Sequence, residues 1–162
     1  MEKTIGILGG MGPLATADLF RKITLLTDAA RDNDHIRVYI ASNARIPART
    51  AAILSGGKDP VPEMASALRS LEACGASCVI MPCNTAHYFY DRLAAALPVP
   101  VLNMPRLTAA DAKAAGCHKL GILATDGTLL AETYQIACRD IGLEWAAPGE
   151  QAQKGIMSII YD

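Results

Sequence analysis

Short, mostly apolar runs recur along the chain. They cover residues 4–8, 36–41, 77–81 and 99–102. Apolar runs of this length, bounded by glycine, proline or polar residues, are typical of buried strands. The pattern therefore predicts four short strands.

The segments between these runs carry apolar residues at helical spacing. Three helices are predicted, with apolar faces formed by Leu19, Ile23 and Leu26, by Met64, Leu68 and Leu71, and by Phe89, Leu93 and Leu97. Strands that alternate with helices predict an α/β fold in which helices cover both sides of a parallel sheet. Ligands bind beyond the carboxyl ends of the strands in such folds, so the turns at residues 9–13 and 82–85 mark the expected site.

A short internal repeat predicts a second unit of the same kind. The pattern Ile/Leu-Gly-Ile-Leu of residues 5–8 recurs at residues 120–123, an offset of 115 (120 − 5). Such a brief match arises by chance as readily as by duplication. If it is a duplication, we predict an α/β domain over residues 1–103, which carries Cys83, and an incomplete second α/β domain over residues 104–162.

Composition and charge narrow the class of protein. The 162 residues are 51% apolar and carry a formal net charge of −1, so no basic surface predicts nucleic acid as a partner. No apolar run approaches the roughly 18 residues of a membrane span, and no secretion signal opens the chain. We therefore expect a cytoplasmic protein.

The five cysteines predict free thiols rather than a disulfide framework, because their number is odd and the expected compartment is reducing. Cys74 and Cys78 have a spacing that a metal site could use. No second cysteine or histidine pair with ligand spacing follows them, so ordinary packed thiols are expected and no metal is predicted.

Cys83 is the cysteine that the pattern singles out. It follows an apolar run and precedes Asn84 and Thr85, which are good residues for the start of a helix. Backbone N–H groups and the positive end of a helix would favour the thiolate form at this position. His87 lies four residues later, within helical reach of the same face. A buried thiol next to a capping asparagine and an unrelated surface histidine explains the spacing equally well.

Two further turns could hold a carboxylate. The turn at residues 9–13, Gly-Gly-Met-Gly-Pro, is predicted to expose backbone amides around Met11 at a helix start, which suits a carboxylate or a phosphate. It has neither the dinucleotide fingerprint nor the Walker A ending. Arg49 lies in a predicted loop over residues 43–50, where a guanidinium could clamp a carboxylate with two hydrogen bonds. A tight turn and a solvated arginine are the simpler alternatives.

Residues 81–87, Met-Pro-Cys-Asn-Thr-Ala-His, are similar to the first active-site signature of the aspartate/glutamate racemase superfamily. Residues 6–13 and the following Ala-Thr resemble the amino terminus of its aspartate racemase branch. The likeness covers essentially the whole chain and continues through residues 34–36, 46–50, 121–128 and 159–161.

The resemblance implies two pseudo-symmetric parallel-sheet α/β domains with the site between them, and a homodimer. It implies amino-acid racemisation without pyridoxal phosphate, metal or other cofactor, by two cysteines that face the α-carbon from opposite sides. Cys83 matches the first cysteine. The residues carried over for substrate binding are Met11, Asn84, Thr85, Thr125 and, toward the side-chain carboxylate, Arg49.

The chain departs from the family pattern at two points. Ala48 stands where the family commonly has aspartate, and the second motif, a Gly-Cys-Thr-Glu-like stretch, is absent, since neither Cys117 nor Cys138 is placed to replace it. We therefore expect this chain alone to be inactive as a racemase. The alternatives are a one-cysteine decarboxylase or isomerase of dicarboxylic acids, and an inactive carboxylate-binding fragment.

Overall fold

The computed structural model describes residues 3–161, which divide into two compact units. The first unit contains residues 3–47, 59–83 and 89–102, and the second contains residues 48–58, 84–88 and 103–161. Within the described residues the strands are β1 (Thr4–Gly9), β2 (Arg37–Ser42), β3 (Cys78–Ile80), β4 (Lys119–Gly121) and β5 (Glu144–Ala146). The helices are α1 (Pro13–Leu26), α2 (Arg49–Leu54), α3 (Val61–Ala73), α4 (Tyr90–Ala94), α5 (Met104–Ala114), α6 (Asp126–Leu130), α7 (Thr133–Asp140) and α8 (Glu150–Tyr161), with 3₁₀ turns at Asp32–Asp34 and Thr85–Phe89.

The first unit is built on a three-stranded parallel sheet of order β2-β1-β3. Ile7 of the central strand pairs with Ile40 on one side and Ile80 on the other. The predicted strands at 4–8, 36–41 and 77–81 are thus confirmed. The run at 99–102 forms only a single bridge, from Val101 to Val79.

Helix α3 has the apolar face that the sequence predicts. Met64, Leu68 and Leu71 are all buried, and the helix is followed by Gly75 with a φ of +89°, a conformation that glycine adopts without strain. The prediction for α1 is wrong at its last residue, since Leu26 is 84% exposed. The buried face of α1 centres on Thr16, so Leu26 lies at its margin.

The helix expected after Cys83 is broken into two pieces. Residues Thr85–Phe89 form a 3₁₀ turn, and α4 then ends at Ala94, so the predicted continuous helix is wrong. Phe89 and Leu93 are buried as expected, whereas Leu97 lies beyond the helix. Pro98 opposes a longer helix, because it has no N–H to donate to the Ala94 carbonyl and because the residue before a proline avoids the helical conformation.

The second unit carries a two-stranded parallel sheet, in which Lys119 of β4 pairs with Glu144 of β5. Helices α5 and α7 pack together, and Ala109, Ala137, Cys138 and Leu143 form a buried apolar cluster. Strand β4 begins 115 residues after β1 (119 − 4), in register with the sequence repeat. Both units therefore have parallel strands connected through helices, which confirms the predicted α/β class.

Among residues 3–161, no helix is both long and apolar enough to cross a membrane.

Candidate functional site

Three loops follow the carboxyl ends of the first sheet. Asn43 follows β2, Gly10 and Met11 follow β1, and Cys83 lies three residues beyond β3. Parallel neighbouring strands end at the same edge, so these loops share the edge at which open α/β sheets bind ligands. The fold of the first unit therefore places the turn at residues 9–13 and Cys83 at the edge where the sequence pattern expects the site.

The glycine turn at residues 9–13 is hydrogen-bonded to the first turn of α1. A Cβ atom on Gly10 would lie 2.4 Å from the Asn43 carbonyl carbon, so only glycine fits. The Gly10 N–H donates to the Thr16 hydroxyl at 2.9 Å, and that hydroxyl donates to the Gly12 carbonyl at 3.0 Å. The prediction that this turn exposes its amides is therefore wrong at Gly10, whose amide Thr16 engages. The Met11 side chain is buried.

Cys83 lies at the end of a tight turn and is only 9% exposed. Its N–H donates to the Met81 carbonyl at 2.9 Å. The helix start expected here is a five-residue 3₁₀ turn, so the long helix that was expected to favour a thiolate does not follow Cys83. The backbone turn holds the cysteine, and the polar residues that follow it belong to the second unit.

Three threonine hydroxyls in the second unit form a closed triangle. The Thr85 hydroxyl lies 2.9 Å from both the Thr125 and the Thr128 hydroxyls, and the last two are 3.0 Å apart. Thr125 also caps α6, because its hydroxyl accepts from the Thr128 N–H. Thr128 is fully buried, whereas Thr125 is partly exposed. The structure thus brings together Thr85 and Thr125, two of the predicted substrate-binding residues.

Asn84 is exposed and is fixed by a tyrosine of α7. The Tyr134 hydroxyl donates to Asn84 Oδ1 at 2.7 Å. Burial raises the pKa of Tyr134, and a hydrogen bond from the Thr108 side chain acts in the opposite direction. The phenol therefore keeps its proton at neutral pH and remains a donor to Asn84.

His87 is buried and serves the start of α5. Its Nε2 accepts the Met104 N–H at 3.1 Å, while the Asn103 side chain caps the same helix by accepting from the Arg106 N–H at 3.1 Å. A ring nitrogen that accepts a hydrogen bond carries no proton. Because His87 is buried, the alternative of a surface histidine is wrong. The hydrogen bond from Met104 shows that His87 holds the first turn of α5.

Arg49 is the first residue of α2. The prediction that it lies in a loop is therefore wrong. Residues 49–54 contain neither glycine nor proline, so nothing in them opposes a helical turn. Helix α2 packs against α6 at Gly127, where an added Cβ would lie 3.2 Å from the Thr50 Cα and from the Thr85 Cγ2. In the second unit, α2 and the 84–88 segment therefore both pack against α6.

The other cysteines differ in exposure. Cys74 and Cys117 are exposed and Cys78 is half-buried, whereas Cys138 is buried and its burial raises the pKa of its thiol. Within residues 3–161, no three His, Cys, Asp or Glu side chains are grouped so that they could hold a metal ion.

Sequence reasoning missed Thr128 and Tyr134. The spacing of Thr125 and Thr128 carried a usable signal, because a threonine at a helix start bonds the N–H three residues later. Tyr134 gave no local signal, since it meets Asn84 across 50 positions of the chain.

These features define an α/β protein with a cysteine at the carboxyl edge of a parallel sheet, followed directly by fixed amide and hydroxyl groups suited to a carboxylate. The sequence profile of the Asp/Glu/Hydantoin racemase family matches residues 8–162. The chain belongs to this family.

Individual relatives agree with this assignment. The chain is 30% identical over 153 residues to the broad specificity amino-acid racemase RacX of Bacillus subtilis (strain 168), a match that covers 86% of this chain and 62% of that protein. It superposes on the Picrophilus torridus aspartate racemase with a TM-score of 0.87 and 33% identity, covering 98% of this chain and 67% of that one. An aspartate racemase homologue from Pyrococcus horikoshii OT3, with a TM-score of 0.79 and 22% identity over 99% of this chain and 70% of that one, shares the fold.

Proposed function

We propose that this chain is part of an amino-acid racemase that needs no pyridoxal phosphate and acts on aspartate or a related acidic amino acid. The observation that carries the proposal is the Cys-Asn-Thr segment at residues 83–85. It places a cysteine directly before an asparagine and a threonine in the sequence, and hydrogen bonds hold the side chains of those two residues. The family and the 33% identity to the Picrophilus torridus aspartate racemase support it.

The chemical task is to remove a proton from the carbon next to a carboxylate. The Cys83 thiolate would take the Cα proton and become a thiol, leaving the electron pair delocalised into the substrate carboxylate. Donors aimed at that carboxylate stabilise the developing charge, which is the largest contribution in many active sites. We assign this task to Asn84, Thr85 and Thr125, and expect a further contact from the Met11 turn.

Inversion requires a second acid on the opposite face of the α-carbon. Return of the proton from Cys83 itself would regenerate the starting enantiomer. Cys117 precedes the amino end of β4, and Cys138 is fully buried, so neither is suited to this role. We therefore expect this chain to exchange the α-proton without producing the opposite enantiomer.

Arg49 is our candidate for the side-chain carboxylate of the substrate. A guanidinium binds a carboxylate through two parallel hydrogen bonds. Helix α2 begins at Arg49 and packs against α6, the helix that Thr125 caps. Its replacement should weaken binding of aspartate far more than binding of alanine.

The homodimer and the cytoplasmic location stay predictions.

The proposal is tested by incubating the chain with L-aspartate, and separately with L-glutamate, in deuterium oxide. Proton NMR follows deuterium entering at Cα, and chiral chromatography follows the D-enantiomer. We expect exchange that falls by roughly 100-fold or more in Cys83→Ser, the scale of a lost general base. Cys117→Ser, which changes an exposed cysteine, serves as the matched control.

Each outcome bears on the proposal. Exchange at the full rate in Cys83→Ser would reject the catalytic role of Cys83. Binding of aspartate without any exchange would reject the acid–base chemistry and favour a carboxylate-binding protein. Release of carbon dioxide or isomerisation of a dicarboxylic acid would favour the one-cysteine alternatives. Formation of D-aspartate by this chain would show that a second acid is already present.

A further inference from the structure

We infer that Tyr134 is a positioning residue that fixes which end of the Asn84 amide faces the substrate. The inference rests on the proposed function, because it assumes that Asn84 meets a carboxylate. It concerns a residue of α7 that no sequence pattern pointed to.

The chemistry of the amide makes its orientation decisive. An asparagine side chain presents an acceptor oxygen at one end and two N–H donors at the other, whereas a carboxylate accepts only. An Asn84 amide rotated by half a turn would set its oxygen against the carboxylate and repel it. The two orientations have almost the same shape, so packing alone does not distinguish them.

The hydrogen bonds around Tyr134 make the distinction. A phenol has one proton, and the Tyr134 hydroxyl donates it to Asn84 Oδ1 at 2.7 Å. The Thr108 side chain lowers the pKa of Tyr134, the effect of a donor to the phenol oxygen, and thereby favours this direction of the proton. With Oδ1 engaged, the two Nδ2 protons are the donors that Asn84, an exposed residue, keeps for a substrate.

The charge state of Tyr134 supports the same assignment. Burial raises the pKa of Tyr134 above its usual value near 10.0, so the phenol is protonated throughout the neutral range. A phenolate could only accept from Asn84, and it would draw the Nδ2 protons away from a substrate. Partial burial in the second unit thus preserves the donor.

The direct test follows the Asn84 amide in the ligand-free chain by NMR. Asparagine-selective labelling leaves four side-chain amides to resolve, at Asn33, Asn43, Asn84 and Asn103, and Asn84→Ala assigns the signal. We expect the Asn84 Cγ resonance to move upfield in Tyr134→Phe, as a carbonyl does on losing a hydrogen bond. Tyr39→Phe removes a hydroxyl from the first unit and should leave this signal in place. An unchanged Asn84 signal in Tyr134→Phe would overturn the inference.

Calorimetric titration with L-aspartate gives the functional readout. Tyr134→Phe should weaken binding about 3- to 10-fold, the scale of one net hydrogen bond. In the Asn84→Ala background the same substitution should cause no further loss of affinity for L-aspartate, because the effects of substitutions at coupled residues do not add. An equal loss in both backgrounds would show a merely structural role and reject the inference.

A second variant and the ligand-free signal distinguish failure of this inference from unfolding and from failure of the proposed function. Should Tyr134→Phe unfold, Thr108→Val, at an exposed position of α5, should change the Asn84 signal in the same direction and by less. Its failure to do so would then count against the inference. If the wild-type chain binds no dicarboxylate although the Asn84 signal depends on Tyr134, the proposed function fails while the control of Asn84 by Tyr134 stands.

Discussion

A buried threonine completes the triangle of hydroxyl groups in the second unit. Thr128 is fully buried, yet its hydroxyl reaches both Thr85 and Thr125. A buried hydroxyl that loses its partner retains the full cost of its desolvation. The stability of this region therefore depends on a side chain that the proposed reaction does not use directly.

Replacement of Thr128 by valine should destabilise the fold by about 1–3 kcal/mol, since it removes a hydroxyl without changing shape and leaves two others with one partner fewer. Urea unfolding followed by circular dichroism measures the change. Thr128→Ser keeps the hydroxyl and should be less affected. A valine variant as stable as the wild type would show that the triangle contributes nothing to stability.

Two glycines separate the effect of backbone conformation from the effect of close contact. Gly10 and Gly75 have almost the same φ, +88° and +89°, but a Cβ on Gly10 would strike Asn43 whereas one on Gly75 would meet nothing within 4 Å. Gly75→Ala should cost about 1–2 kcal/mol for a left-handed alanine. Gly10→Ala should cost about 1–3 kcal/mol more for overpacking. Equal losses in urea unfolding would contradict the close approach at Gly10.

At the scale of elements, one exposed carboxylate joins two helices of the first unit. Asp59 accepts from Arg92 of α4 at 3.2 and 2.7 Å and from the Val61 N–H at the start of α3. The hydrogen bond from Arg92 is the largest cause that lowers the pKa of Asp59, and the Val61 N–H adds to it. The contact therefore depends on the ionised form of Asp59.

This linkage sets the direction of a pH effect. Because the pKa of Asp59 is lower in the folded chain than its usual 3.8, its contribution is present above that value and is lost as the pH falls through the folded pKa. Asp59→Asn should therefore be less stable than the wild type near neutral pH, and the difference should close in acid. Thermal unfolding of both proteins between about pH 2.5 and 7 measures it. A gap independent of pH would contradict the assignment.

The strands and α3 were predictable because apolar periodicity is a local property of the sequence. Arg49 and the segment after Cys83 were harder. Arg49 starts a helix of only six residues, too short to show a period, and residues 85–89 adopt a 3₁₀ turn that the helical spacing of Phe89 and Leu93 does not distinguish from an α-helix. The residue pattern singled out Cys83 beside Asn84 and Thr85, and the likeness to a known family supplied the binding roles of Asn84, Thr85 and Thr125. Their partners Thr128 and Tyr134 became visible only through contacts distant in sequence.

At the scale of the whole molecule, the cysteines provide a map of solvent access. Alkylation of the native chain at pH 8, followed by peptide mass spectrometry, should modify the exposed Cys74 and Cys117 first. Cys138 should react only upon unfolding, because it is fully buried and its burial raises the pKa of the thiol. Rapid modification of Cys138 in the folded chain would contradict the packing of α7.

The two units are interleaved along the sequence. The chain changes unit at five junctions: 47/48, 58/59, 83/84, 88/89 and 102/103. Residues 103–161 alone would lack α2 and also Thr85, the threonine that meets both Thr125 and Thr128. No single scission of the polypeptide can yield both units intact. A single crossover between related genes would therefore join segments of at least one unit from different parents, so the two units are poor modules for recombination.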